Sequence, residues 1–235
     1  MMKYPAEIGK YLEPSLTVNS ADPSIKTCVE GLLDLNADTM KNAQRLYYWV
    51  RDSIRYNPYG IDLAPAMLSA SYTLNSGEGW CVSKAILLAA LCRHAGIPAR
   101  LGFADVRNHL STERLRSAMG TDIFYFHGYS SLYLDGRWVK ATPAFNIELC
   151  DKFGLKPLEF NGREDSLYHE YDKAGNRHMQ YLNDRGEFLD VPLEEMTALF
   201  REKYAPALSG QVDKPAAVLD SGQWDSDVAH EISKH

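Results

Sequence analysis

The sequence has few cysteines, no excess of basic residues and no long hydrophobic run. Only four of its 235 residues are cysteine, and none has the CxxC spacing typical of a zinc site. Their scatter also argues against a disulfide framework. The formal net charge of −6 leaves no basic footprint, so we expect neither nucleic acid nor an anionic membrane as a partner.

A targeting or membrane-spanning segment is also missing. Residues 1–7 lack the apolar region of a secretory signal, and no apolar run is long enough to cross a bilayer. A hydrophobic content of 45% with 24% charged residues is ordinary for a globular protein. We therefore expect a cytoplasmic, reduced protein in which a reactive thiol can persist, and the oligomeric state stays open.

The stretch Gly77–Cys92 combines a glycine-rich turn with a helix that is apolar on nearly every face. A helix of that kind belongs in the interior of a protein. Cys81 stands at its start, where unpaired N–H groups and the positive end of the helix dipole stabilise an anion such as a thiolate. We predict that Cys81 is a nucleophile, and that Lys84, one turn further along, lowers its pKa.

Hydrophobic periodicity and turn signals predict an α+β chain. Helices are expected over about 25–35, 40–54, 69–74, 81–94 and 192–204, and strands over 99–106, 123–134 and 137–141. A polar surface excursion is expected over 107–120, and a turn over 183–186. The regions are an N-terminal cover (1–38), a catalytic core (39–150), C-terminal strands and a helix on that core (151–204), and a poorly ordered tail (205–235).

A thiol attacks well only as a thiolate, and a histidine within hydrogen-bond reach is the usual means of making one. His127 lies on the predicted strand 123–134 and is the candidate base. Alternation along this strand puts Phe124, Phe126 and Gly128 on one face, and His127 on the other. On the face of His127, two residues are candidates for the wall of a substrate cleft: Tyr129 and Ser131.

Several motifs together resemble the bacterial transglutaminase-like superfamily. Gly79–Leu88 is similar to the family's G-x-C turn and Ala/Leu-rich helix, and Arg93–Arg100 to its R-x-x-G-I-P-A-R segment. His127–Tyr133 is similar to the H-A-W-V-E-V-Y strand, and Leu134–Val139 to the hairpin that follows. The resemblance covers roughly residues 40–146. It implies an α+β papain-like fold, in which a central helix bearing the cysteine packs on an antiparallel sheet bearing the histidine of a Cys-His-Asp triad.

The chain departs from this family pattern at the third catalytic position. The family has an aspartate four residues after the hairpin tryptophan, in a W-x-x-x-D-P pattern, whereas Trp138 is followed by Thr142 and Pro143. A threonine hydroxyl can accept the hydrogen bond of the imidazole but carries no charge, so it stabilises an imidazolium less. Asn146 is an alternative residue for orienting the histidine.

These residues favour acyl transfer through a thioester on an amide of a peptide or protein. Cys81 attacks the carbonyl, and His127 acts first as base and then as acid. The N–H of Cys81 is the first oxyanion donor, with Asn75 or Trp80 as candidates for the second.

Hydrolysis by a cysteine protease or amidase is favoured over amine cross-linking, because nothing in the sequence marks an amine site. The alternative is a degenerate domain that binds peptides without turnover, which the missing aspartate suggests. No cofactor or metal is implied.

The other cysteines and histidines have ordinary explanations. Three cysteines are expected to be inert core residues, since cysteine is among the most buried residue types: Cys28, Cys92 and Cys150. His94 lies near a helix C-terminus, where its charge is favourable, and His109 is expected at the surface. His169 and His178 flank a predicted turn, and nothing else there supports a metal site.

Overall fold

The computed structural model describes residues 4–108, 111–168, 171, 173–175, 179–204 and 219–234. Three of its helices begin after a side-chain cap: Asp22, Asp38 and Ser69 each accept an N–H of the first turn that follows. The helices are α1 (Ala6–Gly9), α2 (Pro23–Leu32), α3 (Thr39–Ser53), α4 (Pro65–Leu68), α5 (Ala70–Ser76), α6 (Cys81–His94), α7 (Glu113–Met119), α8 (Ile147–Lys152), α9 (Leu193–Lys203) and α10 (Trp224–Ile232).

The strands form one antiparallel sheet and a small parallel pair. The sheet has the order β5-β4-β3-β6, and the short strands β1 and β2 pair separately. Asp135 and Gly136 both have positive φ and join β4 to β5 in the predicted hairpin. The strands are β1 (Arg55–Tyr56), β2 (Glu78–Gly79), β3 (Ala99–Asn108), β4 (Ile123–Leu134), β5 (Arg137–Ala141) and β6 (Met179–Phe188).

Helix α6 occupies the centre of the core. Every residue from Cys81 to Arg93 is buried, which agrees with its lack of a polar face. It packs on β4 and β3, with α2, α3 and α5 against its other sides. The predicted α+β arrangement, a cysteine-bearing helix on an antiparallel sheet that carries His127, is confirmed. Within the described residues, no helix combines the length and apolarity needed to cross a membrane.

Strand β4 touches α6 through its smallest side chains. A Cβ on Gly128 would lie 2.8 Å from Cα of Val82, so only glycine allows this approach of strand to helix. Two residues on, Oγ of Ser130 donates to the carbonyl of Ala85 at 2.7 Å. Because strand residues alternate in direction, Tyr129 leaves β4 on the opposite face, where its ring lies over Gly102.

The predicted alternation along β4 is wrong before His127. Ala104 pairs with His127 and Val106 with Phe124, so one residue of β3 faces two residues of β4, which defines a β-bulge. Phe126 adopts a left-handed backbone with φ of 55°. The bulge puts Phe124 on the face of His127, because their partners on β3 are two residues apart.

Two C-terminal expectations are also corrected. Residues 183–186 are not a turn between strands but part of β6, which has register shifts against β3 in this region. The prediction of a poorly ordered tail over 205–235 is wrong for residues 219–234, because Trp224 and Val228 of α10 are buried in the core. Residues 205–218 lie outside the described part of the chain.

The predicted polar surface excursion over 107–120 contains α7, whose apolar side is buried.

Candidate active site

The turn before α6 places Cys81 as the first residue of the helix. Gly77 ends α5 in a left-handed conformation, which favours glycine. Trp80 is extended and lies at the N-cap position without a side-chain capping bond. The N–H groups of the first turn of α6 are therefore left for other acceptors, as at any helix start.

The sulfur of Cys81 faces a set of backbone donors. Backbone hydrogen bonding from Gly128, Val82 and Cys81 itself lowers the pKa of the Cys81 thiol. Gly128 follows His127 directly, and the pairing of β4 with β5 ends at Ser130 and Ala141. Gly128 therefore lies on the stretch of β4 beyond the end of β5, an open edge, beside the residue that carries the imidazole.

Burial raises the pKa of the Cys81 thiol to about 11, against an ordinary value of 9.0, and the three N–H donors oppose this only in part. The side chain is 4% exposed. The position of Cys81 at the helix start favours a lower pKa. Burial has the larger effect, because almost no water reaches the sulfur. In this conformation the thiol is protonated at neutral pH.

A C-terminal segment contributes to that burial. The ring of Phe200 on α9 lies 6.3 Å from the ring of Trp80 and 4.7 Å from that of Tyr204. Burial raises the pKa of Tyr204 and of Tyr56, and the nearby Cys81 raises both further. We refer to α9 with Tyr204 as the cover of Cys81.

His127 lies on β4 and is 6% exposed. The structure thus brings the histidine-bearing strand to the start of α6, because Gly128 packs against Val82 and lowers the pKa of Cys81.

The two candidates for orienting His127 have other surroundings. Oγ1 of Thr142 is buried and has no hydrogen-bond partner among the described residues. The backbone of Thr142 is held instead: its N–H donates to Ser166 at 2.8 Å and its carbonyl accepts from Tyr47 at 3.2 Å. Oδ1 of Asn146 accepts the N–H of Tyr56 at 3.2 Å. None of these contacts within the described residues involves the imidazole of His127.

The expected effect of Lys84 on Cys81 is wrong. Nζ of Lys84 donates to the carbonyls of Arg51 at 3.0 Å and Ile54 at 2.5 Å, and these are carbonyls at the end of α3 that lack helical partners. Lys84 is fully buried and does not contribute to the pKa of Cys81. It anchors α3 to α6 and does not activate the thiol.

Lys84 should make the protein more stable as the pH rises above neutrality. Burial lowers its pKa to about 7 from 10.5. Between these values the unfolded chain binds one more proton than the folded chain, so the free energy of unfolding increases with pH, by up to about 1.4 kcal/mol per pH unit. Urea unfolding at pH 7 and pH 8.5 measures this slope. Lys84→Met should lack this contribution, and equal slopes in both proteins would contradict the assignment.

The remaining predicted site residues have different degrees of burial. Asn75 lies exposed on α5, and no hydrogen bond of its side chain joins it to a described residue beside Cys81. Trp80 is buried next to Cys81, with its ring towards Phe200. Tyr129 and Ser131 are fully buried, and neither hydroxyl has a hydrogen-bond partner within the described ranges. The ring of Tyr129 fills the space over Gly102, so these two residues belong to the interior of the sheet.

The other cysteines, and the other histidines that the structure describes, have different surroundings. Cys92 and Cys150 are buried and Cys28 is half-buried, and all four cysteines are free thiols. Nδ1 of His94 lies 2.8 Å from the carbonyl of Ser20. Four histidines fall outside the described residues: His109, His169, His178 and His235. In the described ranges, no group of three or more His, Cys, Asp or Glu side chains is placed to hold a metal ion.

Sequence reasoning missed the residues that crowd the sulfur. Gly128 was assigned only to a strand face, and Tyr56, Phe200 and Tyr204 were not associated with Cys81. The sequence offered one signal for Gly128, since a glycine inside an aromatic strand indicates a close approach of another backbone. No local pattern shows that α9 folds back on the start of α6.

Comparison with known proteins identifies the family that this chain resembles. A family model described as the transglutaminase-like superfamily matches residues 26–143, just over half of the chain. This match confirms the resemblance seen in the motifs and, with the observed architecture, the papain-like fold. No curated protein shows a significant match.

Two solved structures are similar at low identity. One is from Cytophaga hutchinsonii and has a provisional description as a cysteine protease, with 18% identity and a TM-score of 0.48 over 79% of this chain and 55% of that one. The other is from Parabacteroides distasonis and has a provisional description as a protease, with 19% identity and a TM-score of 0.38 over 59% of this chain and 26% of that one. The chain thus spans about half of the first protein and a quarter of the second.

Proposed function

Because the chain belongs to the transglutaminase-like superfamily, we propose that it is a thiol-dependent acyl-transfer enzyme acting on an amide of a peptide or protein. Hydrolysis is the proposed outcome, which makes it a cysteine protease or amidase. The four cysteines are free thiols, and a cytoplasmic, reducing location, also part of the proposal, would keep them so.

The observation that carries this proposal is the set of backbone N–H groups around the sulfur of Cys81. Val82 and Cys81 supply donors from the helix start, and Gly128 supplies one from the strand of His127. Two of these groups belong to the helix start itself, whereas Gly128 comes from another element. Donors at this place stabilise a thiolate and the oxyanion that forms beside it.

The proposed reaction has two stages. His127 takes the proton of the Cys81 thiol, and the thiolate attacks the amide carbonyl, whose oxygen is received by the N–H of Cys81. The C–N bond then breaks, and His127 returns its proton to the leaving amine, which leaves a thioester on Cys81. Water, deprotonated by His127, attacks this thioester and releases the acid and the thiol.

Trapping of the acyl-enzyme tests this proposal. With p-nitrophenyl acetate as an activated acyl donor, intact-protein mass spectrometry should show one acetyl group on Cys81. The adduct should be absent in Cys81→Ala, unchanged in Cys92→Ala, and slower to form by about 100-fold or more in His127→Ala, the range for loss of general-base catalysis. Modification that persists in Cys81→Ala, or an equal rate in His127→Ala, contradicts the proposal.

The acyl acceptor can be read from the same adduct. Hydrolysis predicts that the thioester decays to free enzyme and acetate at a rate that added primary amines do not change. Decay that accelerates in proportion to the amine concentration, with formation of the acetamide, would support cross-linking instead.

A second candidate function is peptide binding without turnover. Two observations favour it: Thr142 stands where the family has an aspartate and its Oγ1 has no hydrogen-bond partner among the described residues, and the thiol of Cys81 is protonated at neutral pH in this conformation. This candidate predicts no acyl adduct on Cys81, so the trapping experiment separates the two functions.

A further inference from the structure

The β-bulge in β4 stands immediately before His127. Phe126 and Asp135 are the non-glycine residues with positive φ within the described residues, and Asp135 lies in a hairpin turn that favours this conformation. Phe126 lies inside a strand, where a bulky residue with φ of 55° is strained. Such a conformation persists only when the surrounding structure enforces it.

Asp105 of β3 lies opposite the bulge and holds it. Its Oδ1 accepts the N–H of Phe126 at 3.2 Å. Both carboxylate oxygens also accept from Arg185 of β6, with Nε to Oδ1 at 2.6 Å and Nη2 to Oδ2 at 2.8 Å. The side chains of Asp105 and Arg185 are 8% and 15% exposed, so this bidentate pair is largely shielded from water and salt.

Arg185 also contacts the strained residue directly. Its guanidinium carbon lies 4.6 Å from the ring centre of Phe126, within the range of a cation–π contact. The preceding N–H, that of Tyr125, donates to Oη of Tyr204 at 2.9 Å. The N–H groups of Tyr125 and Phe126, the two residues of the bulge, are therefore bound by side chains from other parts of the chain. Neither N–H group depends on the carbonyl of a neighbouring strand for a partner.

The bulge fixes the part of β4 that meets the sulfur. Gly128, two residues after Phe126, lies against Val82, where a Cβ would come within 2.8 Å of its Cα, and its N–H lowers the pKa of Cys81. Without the bulge, the peptide groups on either side of His127 would have a different orientation. The extra residue of a bulge changes the direction of the backbone and of the neighbouring side chains.

We propose that Asp105 and Arg185 are positioning residues that hold the Phe126 bulge, so that His127 and the N–H of Gly128 stand at the sulfur of Cys81. This inference rests on the proposed function for the role of His127, but the clamping of the bulge can be measured separately. Neither residue is a proton carrier, since both carboxylate oxygens of Asp105 are occupied by Arg185.

The test compares two ion pairs that join the same two strands. Asp105→Ala removes the acceptor of Phe126 and the partner of Arg185, whereas Asp105→Asn keeps an oxygen for Phe126 and is the milder variant. The matched control is Glu187→Gln, which breaks the pair of Glu187 with Arg100, 2.8 Å apart, away from the bulge. Amide hydrogen exchange and the rate of Cys81 alkylation by iodoacetamide are measured in each protein, with and without His127→Ala.

We expect Asp105→Ala to speed exchange at Phe126 and Gly128 and to slow alkylation by about tenfold or more, since a misplacement of about 1 Å can cost up to about 100-fold. His127→Ala should slow the wild type and Glu187→Gln alike but have little further effect in Asp105→Ala, because the two changes remove one shared interaction. Asp105→Asn should fall between Asp105→Ala and the wild type.

Two results would overturn the inference. Unchanged exchange at Phe126 and Gly128 in both Asp105 variants would show that the carboxylate does not hold the bulge. An equal effect of His127→Ala in Asp105→Ala and in the wild type would show that the bulge does not position the imidazole. Faster exchange in Asp105→Ala, with no effect of His127→Ala in any protein, supports the clamp and counts against the proposed function alone.

Discussion

Phe200→Ala should increase the rate of Cys81 alkylation at pH 8 by about tenfold or more. The ring of Phe200 packs near Trp80 and on Tyr204, and its loss lets water reach the sulfur. A return of the thiol pKa from about 11 to its ordinary 9.0 would raise the thiolate fraction at pH 8 about 100-fold. A less basic thiolate is also a weaker nucleophile, which reduces this gain by about tenfold. The readout is iodoacetamide labelling followed by peptide mapping.

The matched control for this variant is Met196→Ala. Met196 is fully buried on the same helix α9, one turn before Phe200, and its truncation costs stability in the same range, about 2–5 kcal/mol against about 3–5 kcal/mol for Phe200. Phe200→Leu, which keeps much of the volume, gives a milder test. Equal labelling in Phe200→Ala and Met196→Ala would mean that the thiol is exposed by loosening of α9 in general, and not by loss of the ring beside Trp80 and Tyr204.

Gly128→Ala should damage both the fold and the reactivity of Cys81. The added Cβ would lie 2.8 Å from the backbone of Val82, so β4 and the start of α6 must move apart. Overpacking of this kind costs about 1–3 kcal/mol of unfolding free energy. The N–H of Gly128 then leaves Sγ, and loss of a hydrogen bond to a charged group slows alkylation by about tenfold or more. Urea unfolding and the labelling rate measure the two effects.

Gly102→Ala provides the comparison for Gly128→Ala. Its Cβ would lie 2.1 Å from the ring of Tyr129, so it overpacks the same sheet on the face away from α6. We expect this variant to lose stability but to keep the labelling rate of Cys81 in the folded protein. A normal labelling rate in Gly128→Ala would exclude the strand N–H as a stabiliser of the thiolate.

Phe200 and Gly128 act on the thiol in opposite directions. Burial by the cover raises the pKa of Cys81, while the donors at the open edge of β4 lower it, and burial is the larger effect in this conformation. An acyl-transfer reaction therefore needs the cover to be displaced, with the donors kept in place.

The local sequence determined the elements that carry Cys81 and His127. The glycine turn, the apolar run of α6 and the Asp-Gly hairpin each form from residues close together in the chain, so periodicity and turn chemistry were enough to predict them. The resemblance across these motifs also predicted the family. Cys81 as the first residue of a buried helix and His127 on a neighbouring strand follow from that information alone.

Only the tertiary structure decided the state of the thiol. Its pKa depends on how much water reaches Sγ, and that depends on Phe200 and Tyr204, which are remote in sequence and signal no contact with Cys81. The direction of His127 depends likewise on the bulge that Asp105 and Arg185 hold across three strands, and period-two alternation cannot anticipate an inserted residue. Lys84 shows the same limit: its spacing from Cys81 was right for an effect on the thiol, but two orphan carbonyls of α3 bind its ammonium group instead.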